Sequence, residues 1–139
     1  MRASILFTFT LLQLLAHGRK HIKSPLAGNC TMCGFADQHR LQVNCFGDPT
    51  TNITSELDLR DCVGNKNGTL VLGDKGNYTD SCQRCRMSDS FVLDCRCEEE
   101  SGWALDYTNL DLGKYLDVAG GYITCLHKTH NSEDHICGQ

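Results

Sequence analysis

Seventeen residues, Ser55 to Val71 (SELDLRDCVGNKNGTLV), recur in outline as Asn109 to Ile123 (NLDLGKYLDVAGGYI) at an offset of 53 positions. Such a duplication strongly constrains the fold, because each copy is too small to bury its own apolar face and the other copy is the nearest complement. In the first copy Leu57 and Leu59 alternate with Asp58, the period of a half-buried strand. A tight helical turn follows. Asn67-Gly68 then supplies two residues that tolerate positive φ, and Leu70 resumes an apolar strand, which together make a hairpin. In the second copy Leu110 and Leu112 flank Asp111, while Leu116, Gly121 and Ile123 match Val63, Gly68 and Leu70.

A second pair of segments precedes these. NCTMCGFADQHRLQVNC (Asn29 to Cys45) and NYTDSCQRCRMSDSFVLDCRC (Asn77 to Cys97) align at an offset of 52, Cys30 onto Cys82, Cys33 onto Cys85, Leu41 onto Leu93 and Cys45 onto Cys97. The step from 52 to 53 places one insertion in the loop containing Gly102 and Trp103. Each repeat of about fifty residues therefore reads as a strand, its hairpin partner, a third strand, a helical turn and a closing hairpin. No stretch beyond the leader holds a helical period over three turns. The expected fold class is all-β: two pseudo-symmetric tandem repeats, each a three-stranded sheet plus a β-hairpin, sharing one disulfide-stapled core. Repeat one spans 29–75 and repeat two 76–125, within a domain of 29–125. The join, Val71 to Tyr78 (VLGDKGNY), reads as a hinge, which allows a monomer or a domain-swapped dimer.

The ends carry other signals. Residues 1–18 hold one cation, Arg2, an apolar run from Ile5 to Ala16, and the small residues of Ala16-His17-Gly18, which is the pattern of a cleaved secretory signal peptide. No other stretch approaches the roughly 20 apolar residues a membrane span needs. A basic arm (19–28) precedes the domain, with Arg19-Lys20-His21-Ile22-Lys23 read as solvated, and a polar His/Cys tail (126–139) follows it. All ten cysteines lie beyond the cleavage point, as expected of a secreted, extracellular chain with disulfides. Asn29, Asn52, Asn67 and Asn77 each begin an Asn-x-Thr glycosylation sequon. The net charge of −4, one unit more negative once Arg2 is removed, gives no reason to bind nucleic acid or anionic membrane.

Several constellations of chemically active residues have a simpler structural reading. Cys125-x-His127-x-x-His130 with His135-x-Cys137 has the residue types of a zinc site, but in an exported cysteine-rich chain a disulfide-tethered tail is expected, with no metal. Cys30/Cys33 and Cys82/Cys85 are Cys-x-x-Cys pairs outside any βαβ pattern, so they read as structural and not redox-active. Glu98-Glu99-Glu100 reads first as a solvated acidic loop. Trp103 serves equally as core or as a sugar-stacking ring. No Ser/His/Asp spacing or carboxylate pair indicates catalysis, so no enzyme and no cofactor are expected.

Taken together, the repeated Cys-x14-Cys, the S-x-LDL-x4-GN-x-NG-x-L stretch, Asn77-Tyr78 opening repeat two and the spacing around Gly102 and Trp103 resemble the cyanovirin-N homology family. The likeness covers roughly Leu26 to Cys125, and the cysteine pattern of repeat two is similar to that of fungal members. The resemblance implies non-catalytic binding of mannose-type glycans, with glycans or glycoproteins as partners. Carried over residue by residue, the family's site falls on Gly64, Asn65 and Asn67, on Asn77, Asp80 and Ser81, and on the loop Glu98, Glu99, Glu100 and Ser101. That loop departs from the family, which has basic and hydroxyl residues there. In the second half the corresponding asparagine and acid become Val118 and Gly120, so one working site, at the first hairpin, is expected. The alternative is a disulfide-rich secreted interaction protein that kept the fold and lost the sugar.

The repeat alignment predicts disulfides Cys30–Cys45 and Cys82–Cys97, and Cys85–Cys95 follows as a neighbouring rung of the second hairpin. The same register arithmetic puts Val43 opposite Cys33, which leaves Cys33 to pair with Cys62, Cys125 or Cys137.

Overall fold

A computed structural model describes residues 24–48, 51–73, 76–102, 105–125 and 128–129. The signal segment, Arg19 to Lys23, Trp103 and most of the His/Cys tail lie outside the described residues. In order, the chain forms β1 (Ser24–Pro25), β2 (Cys30–Ala36), β3 (Arg40–Asp48) and β4 (Thr51–Asp58), a 3-10 turn at Leu59–Asp61, then β5 (Val63–Lys66) and β6 (Thr69–Leu72). The second half runs through a 3-10 turn at Tyr78–Asp80, β7 (Cys82–Met87), β8 (Val92–Glu98), β9 (Leu105–Asp111), α1 (Leu112–Tyr115), β10 (Asp117–Ala119), β11 (Tyr122–Cys125) and β12 (Lys128–Thr129). Among the described residues no helix is long and apolar enough to cross a membrane.

The fold is all-β with a doubled architecture. The antiparallel sheets β2-β3-β4 and β7-β8-β9 correspond, as do the hairpins β5-β6 and β10-β11. Alternation sets the faces: in β8 Leu93, Cys95 and Cys97 point inward while Asp94 and Glu98 stay exposed. Disulfides join Cys30 to Cys45, Cys82 to Cys97 and Cys85 to Cys95 within the sheets, and Cys62 to Cys125 across the molecule. A bulge between Gln83 and Arg86 shifts the register by one, which brings Cys85 to Cys95 on the same buried face as Cys82–Cys97, with the Gln83–Arg96 rung between the two disulfides. In the first sheet the register places Val43 opposite Met32 and not Cys33. Cys33 falls in the bulge between Met32 and Gly34, and it is disulfide-bonded.

The halves exchange hairpins. The Leu70 N–H of β6 donates to Thr108 Oγ1 of β9 at 3.0 Å, and the Ile123 N–H of β11 donates to Ser55 Oγ of β4 at 3.1 Å. These two bonds are equivalents under the repeat offset of 53. Each hairpin thus lies on the sheet of the other half and buries apolar side chains there, each worth about 1.5–3 kcal/mol when fully covered. Leu41, Val43, Leu57, Leu59, Leu93, Leu112, Leu116 and Ile123 are completely buried in the shared core. So is Tyr78, whose hydroxyl donates to the Gln38 carbonyl of the first half.

Two boundaries differ from the sequence reading. The folded unit begins before Asn29: β1 pairs with β10, and Leu26 is fully buried with its N–H donating to Leu116 O at 2.9 Å. The join between repeats is not a loose hinge at its far end either, because a Cβ on Gly76 would stand 2.2 Å from the backbone of Val63 and Gly64. Close backbone approach, and not flexibility, accounts for this glycine.

Candidate functional site

The first hairpin reverses at Asn67 (φ 49°) and Gly68 (φ 81°), both in the left-handed region that this pair of residues tolerates. The turn and the base of the hairpin meet the second sheet through two asparagines. Asn65 Nδ2 donates to Ser81 Oγ at 2.9 Å and to the Glu98 carbonyl at 2.8 Å. Ser81 is itself held in place, since its carbonyl accepts from the Glu98 N–H at 2.8 Å. Asn65 therefore clasps β5 to the start of β7 and the end of β8. Its Oδ1 is buried and has no hydrogen-bond partner among the described residues. At the tip, Asn67 Oδ1 accepts from the Glu100 N–H at 3.0 Å, and a Cβ on Gly68 would lie 3.1 Å from Glu99 Cγ. The acidic loop is thus packed along the hairpin.

On the other side of Asn65, Gly64 bridges to Asn77, whose N–H donates to Arg60 O at 2.9 Å. Asn77 adopts φ 31° and donates through Nδ2 to Asp80 Oδ2 at 2.6 Å, while its Oδ1 accepts from Thr79 Oγ1 at 2.9 Å. An open depression of about 310 Å³ lies beside it, lined by Asp58, Arg60, Asp61 and Asn77. Partial burial pushes the Asp58 carboxyl up, but this is outweighed by hydrogen bonds from the Arg60 side chain and N–H, helped by the Arg60 and His39 charges, so it ends below the ordinary carboxylate range. The Arg60 guanidinium is correspondingly held above its usual range by the Asp58 hydrogen bond.

The structure thus brings Gly64, Asn65, Asn67, Asn77, Asp80, Ser81 and the backbone of Glu98 to Glu100 into one connected polar surface. Asp58, Arg60 and Asp61 border it, and these were not singled out from sequence. A strand-turn reading treats them as the polar positions of a turn, and the available signal was their position directly ahead of Gly64 on a turn that must face Asn77. Adjacent carboxylate, amide and guanidinium groups on exposed, rigid backbone can pair with vicinal hydroxyls; among the described residues no cluster has the composition of a metal site.

The CVNH-domain family model matches residues 27–124. The chain belongs to the cyanovirin-N homology (CVNH) family. A "Cyanovirin-N homolog" of Tuber borchii is 31% identical over 81 residues, 58% of this chain and 78% of the relative. Among solved structures, the Gibberella zeae CVNH protein superposes with a TM-score of 0.60 at 21% identity, covering 73% of this chain and 94% of that one. A structure described as a microvirin:mannobiose complex superposes with a TM-score of 0.61 at 25% identity, covering 73% and 97%.

Within this CVNH chain the two halves have diverged at the equivalent positions. Val118, at the place of Asn65, is only 5% exposed and pairs with Ser24 and Ile123, so an apolar contact replaces the amide clasp. Phe46, at the place of Glu98, is exposed, and Asn29, at the place of Ser81, donates through Nδ2 to Pro25 O at 2.7 Å. Gly120 supplies no side chain. The added strand β1 further closes this side against β10.

Proposed function

We propose that this CVNH protein is a secreted, non-catalytic lectin that binds mannose-type glycans at one site per chain, the polar surface of the first hairpin. The observation that carries the reading is the connected polar surface on which the first hairpin, the end of the second sheet and the Asn77–Asp80 turn are tied together through Asn65, Asn67 and Asn77. Support also comes from the 25% identical neighbour solved with mannobiose. Export is supported by the residue pattern of 1–18 and by the disulfides. One shallow site gives weak binding, whereas two linked sites raise avidity by roughly 10²–10⁴; the chain as a monomer therefore does not crosslink glycoproteins.

A second reading, an interaction protein that kept the fold and lost sugar binding, is favoured by one specific observation: both Asn65 amide hydrogens are already used inside the molecule. Asn67 is also a sequon residue, and a glycan attached to it would cover the site. The deciding experiment titrates mannose oligosaccharides into full-length mature protein made without glycosylation, following backbone amide shifts. Changes at Gly64 to Gly68 and Asn77 to Ser81 are expected. Changes confined to Ala119 to Tyr122 would overturn the single-site assignment, and no change anywhere would favour the second reading.

A further inference from the structure

Four asparagines begin sequons, but their side chains stand in different situations. Asn29 and Asn77 donate through Nδ2 to Pro25 O and Asp80 Oδ2, at 2.7 and 2.6 Å, and Asn67 Oδ1 accepts from the Glu100 N–H. Asn52 is exposed and its side chain makes no hydrogen bond among the described residues. A substituent on its amide displaces no hydrogen bond among the described residues.

What lies opposite Asn52 is equally specific. In the β3–β4 pair Phe46 is its direct register partner, one rung beyond Cys45 and Ile53. Cys45 is buried, so by strand alternation Phe46 and Asn52 leave the outer face of the sheet together. Directly opposed residues hold their Cβ atoms about 4.5–5.5 Å apart, close enough for side chains to cover one another. Phe46 is 61% exposed and, unlike the three exposed tyrosines Tyr107, Tyr115 and Tyr122, carries no polar group that gains from water. An isolated exposed apolar residue is ordinary. A phenyl ring in register with an unengaged sequon asparagine is not, because a pyranose attached to that asparagine starts within reach of the ring, whose electron-rich face suits the C–H face of a sugar.

We propose that Asn52 is an N-glycosylation site whose first N-acetylglucosamine packs on Phe46, making the glycan a structural part of the first sheet. In the modification, Asn52 Nδ2 bonds to the anomeric carbon of an N-acetylglucosamine-ended oligosaccharide carried on a lipid diphosphate. The anomeric C–O bond breaks, the lipid diphosphate leaves with the electron pair, and the amide gives up one proton. Thr54 completes the sequon. The inference needs passage through a glycosylating secretory route but is independent of whether the first hairpin binds sugar.

The test secretes the full chain, and separately its Phe46→Ala variant, from a eukaryotic host, and trims the glycans to a single N-acetylglucosamine. Glycopeptide mass spectrometry is expected to find Asn52 occupied. Melting temperatures are then compared with the same two proteins carrying Asn52→Gln. The sugar is expected to raise the melting temperature by about 4 °C when Phe46 is present, a shift easily read for a domain of this size, and to have no effect in the alanine variant. Upfield ring-current shifts of the sugar protons, lost in Phe46→Ala, give a second readout that does not depend on stability. An unoccupied Asn52, or an equal effect of the sugar with and without Phe46, would overturn the proposal.

Discussion

The N–H of Ile123 donates to the hydroxyl of Ser55 at 3.1 Å, across 68 residues of chain, inside the core where Ser55 is wholly buried. Its equivalent, Leu70 N–H to Thr108 Oγ1, performs the same task for the other half but at a partly buried site. Each hairpin thus donates a backbone hydrogen bond to a hydroxyl in the sheet of the opposite repeat, which ties hairpin exchange to two named side chains.

Removing the Ser55 hydroxyl leaves the Ile123 N–H without its acceptor in the core. Ser55→Ala is expected to lower stability by about 1–3 kcal/mol, and Thr108→Ala by less, since water reaches that position. Urea unfolding of both variants checks the order, and a Thr108→Ala loss exceeding that of Ser55→Ala would contradict it.

Gly76→Ala is expected to be more damaging than either. Its Cβ would meet backbone atoms of Val63 and Gly64 at 2.2 Å, and backbone cannot rotate out of the way as a side chain can. A loss of about 3 kcal/mol or more is expected, together with reduced soluble yield.

The Cys62–Cys125 disulfide closes a sequence separation of 63 and joins the turn after β4 to the end of β11. In the chain-entropy account such a loop contributes roughly 4 kcal/mol, against about 3 for the 15-residue separation of Cys30–Cys45. Double replacement of Cys62 and Cys125 by alanine is therefore expected to shift the denaturation midpoint more than the same change at Cys30 and Cys45. Cys137, one of the candidate partners of Cys33, lies outside the described residues, and non-reducing peptide mapping of the wild type identifies which cysteine Cys33 is bonded to.

Asp58 makes stability pH-dependent. Its carboxyl titrates lower in the folded chain than in the unfolded one, so it stabilises the fold above the unfolded value of about 3.9 and loses that contribution as pH falls through the lower folded value. Asp58→Asn is expected to be less stable at neutral pH and to lose less stability on acidification. Parallel acid limbs for wild type and variant would refute this role.

The duplication, the strand period, the Asn67-Gly68 turn and the family were legible in the residues because each is a local matter. Alternation of Leu41, Val43 and Cys45 sets a face whatever lies beyond it, and a residue pair that tolerates positive φ makes its turn without help from afar. The candidate site was legible as a set of positions but not as an arrangement. That Asn65 uses both amide hydrogens on Ser81 and Glu98, 16 and 33 residues away, depends on how the first hairpin docks on the second sheet. The bordering role of Asp58, Arg60 and Asp61, the pairing of Cys62 with Cys125, the closeness of Gly76 to Val63 and the capture of Leu26 and β1 by the second half follow from that docking too. Periodicity and turn chemistry act between neighbours along the chain, whereas these contacts join residues whose proximity exists only once the two halves have exchanged hairpins, and tertiary packing alone decides them.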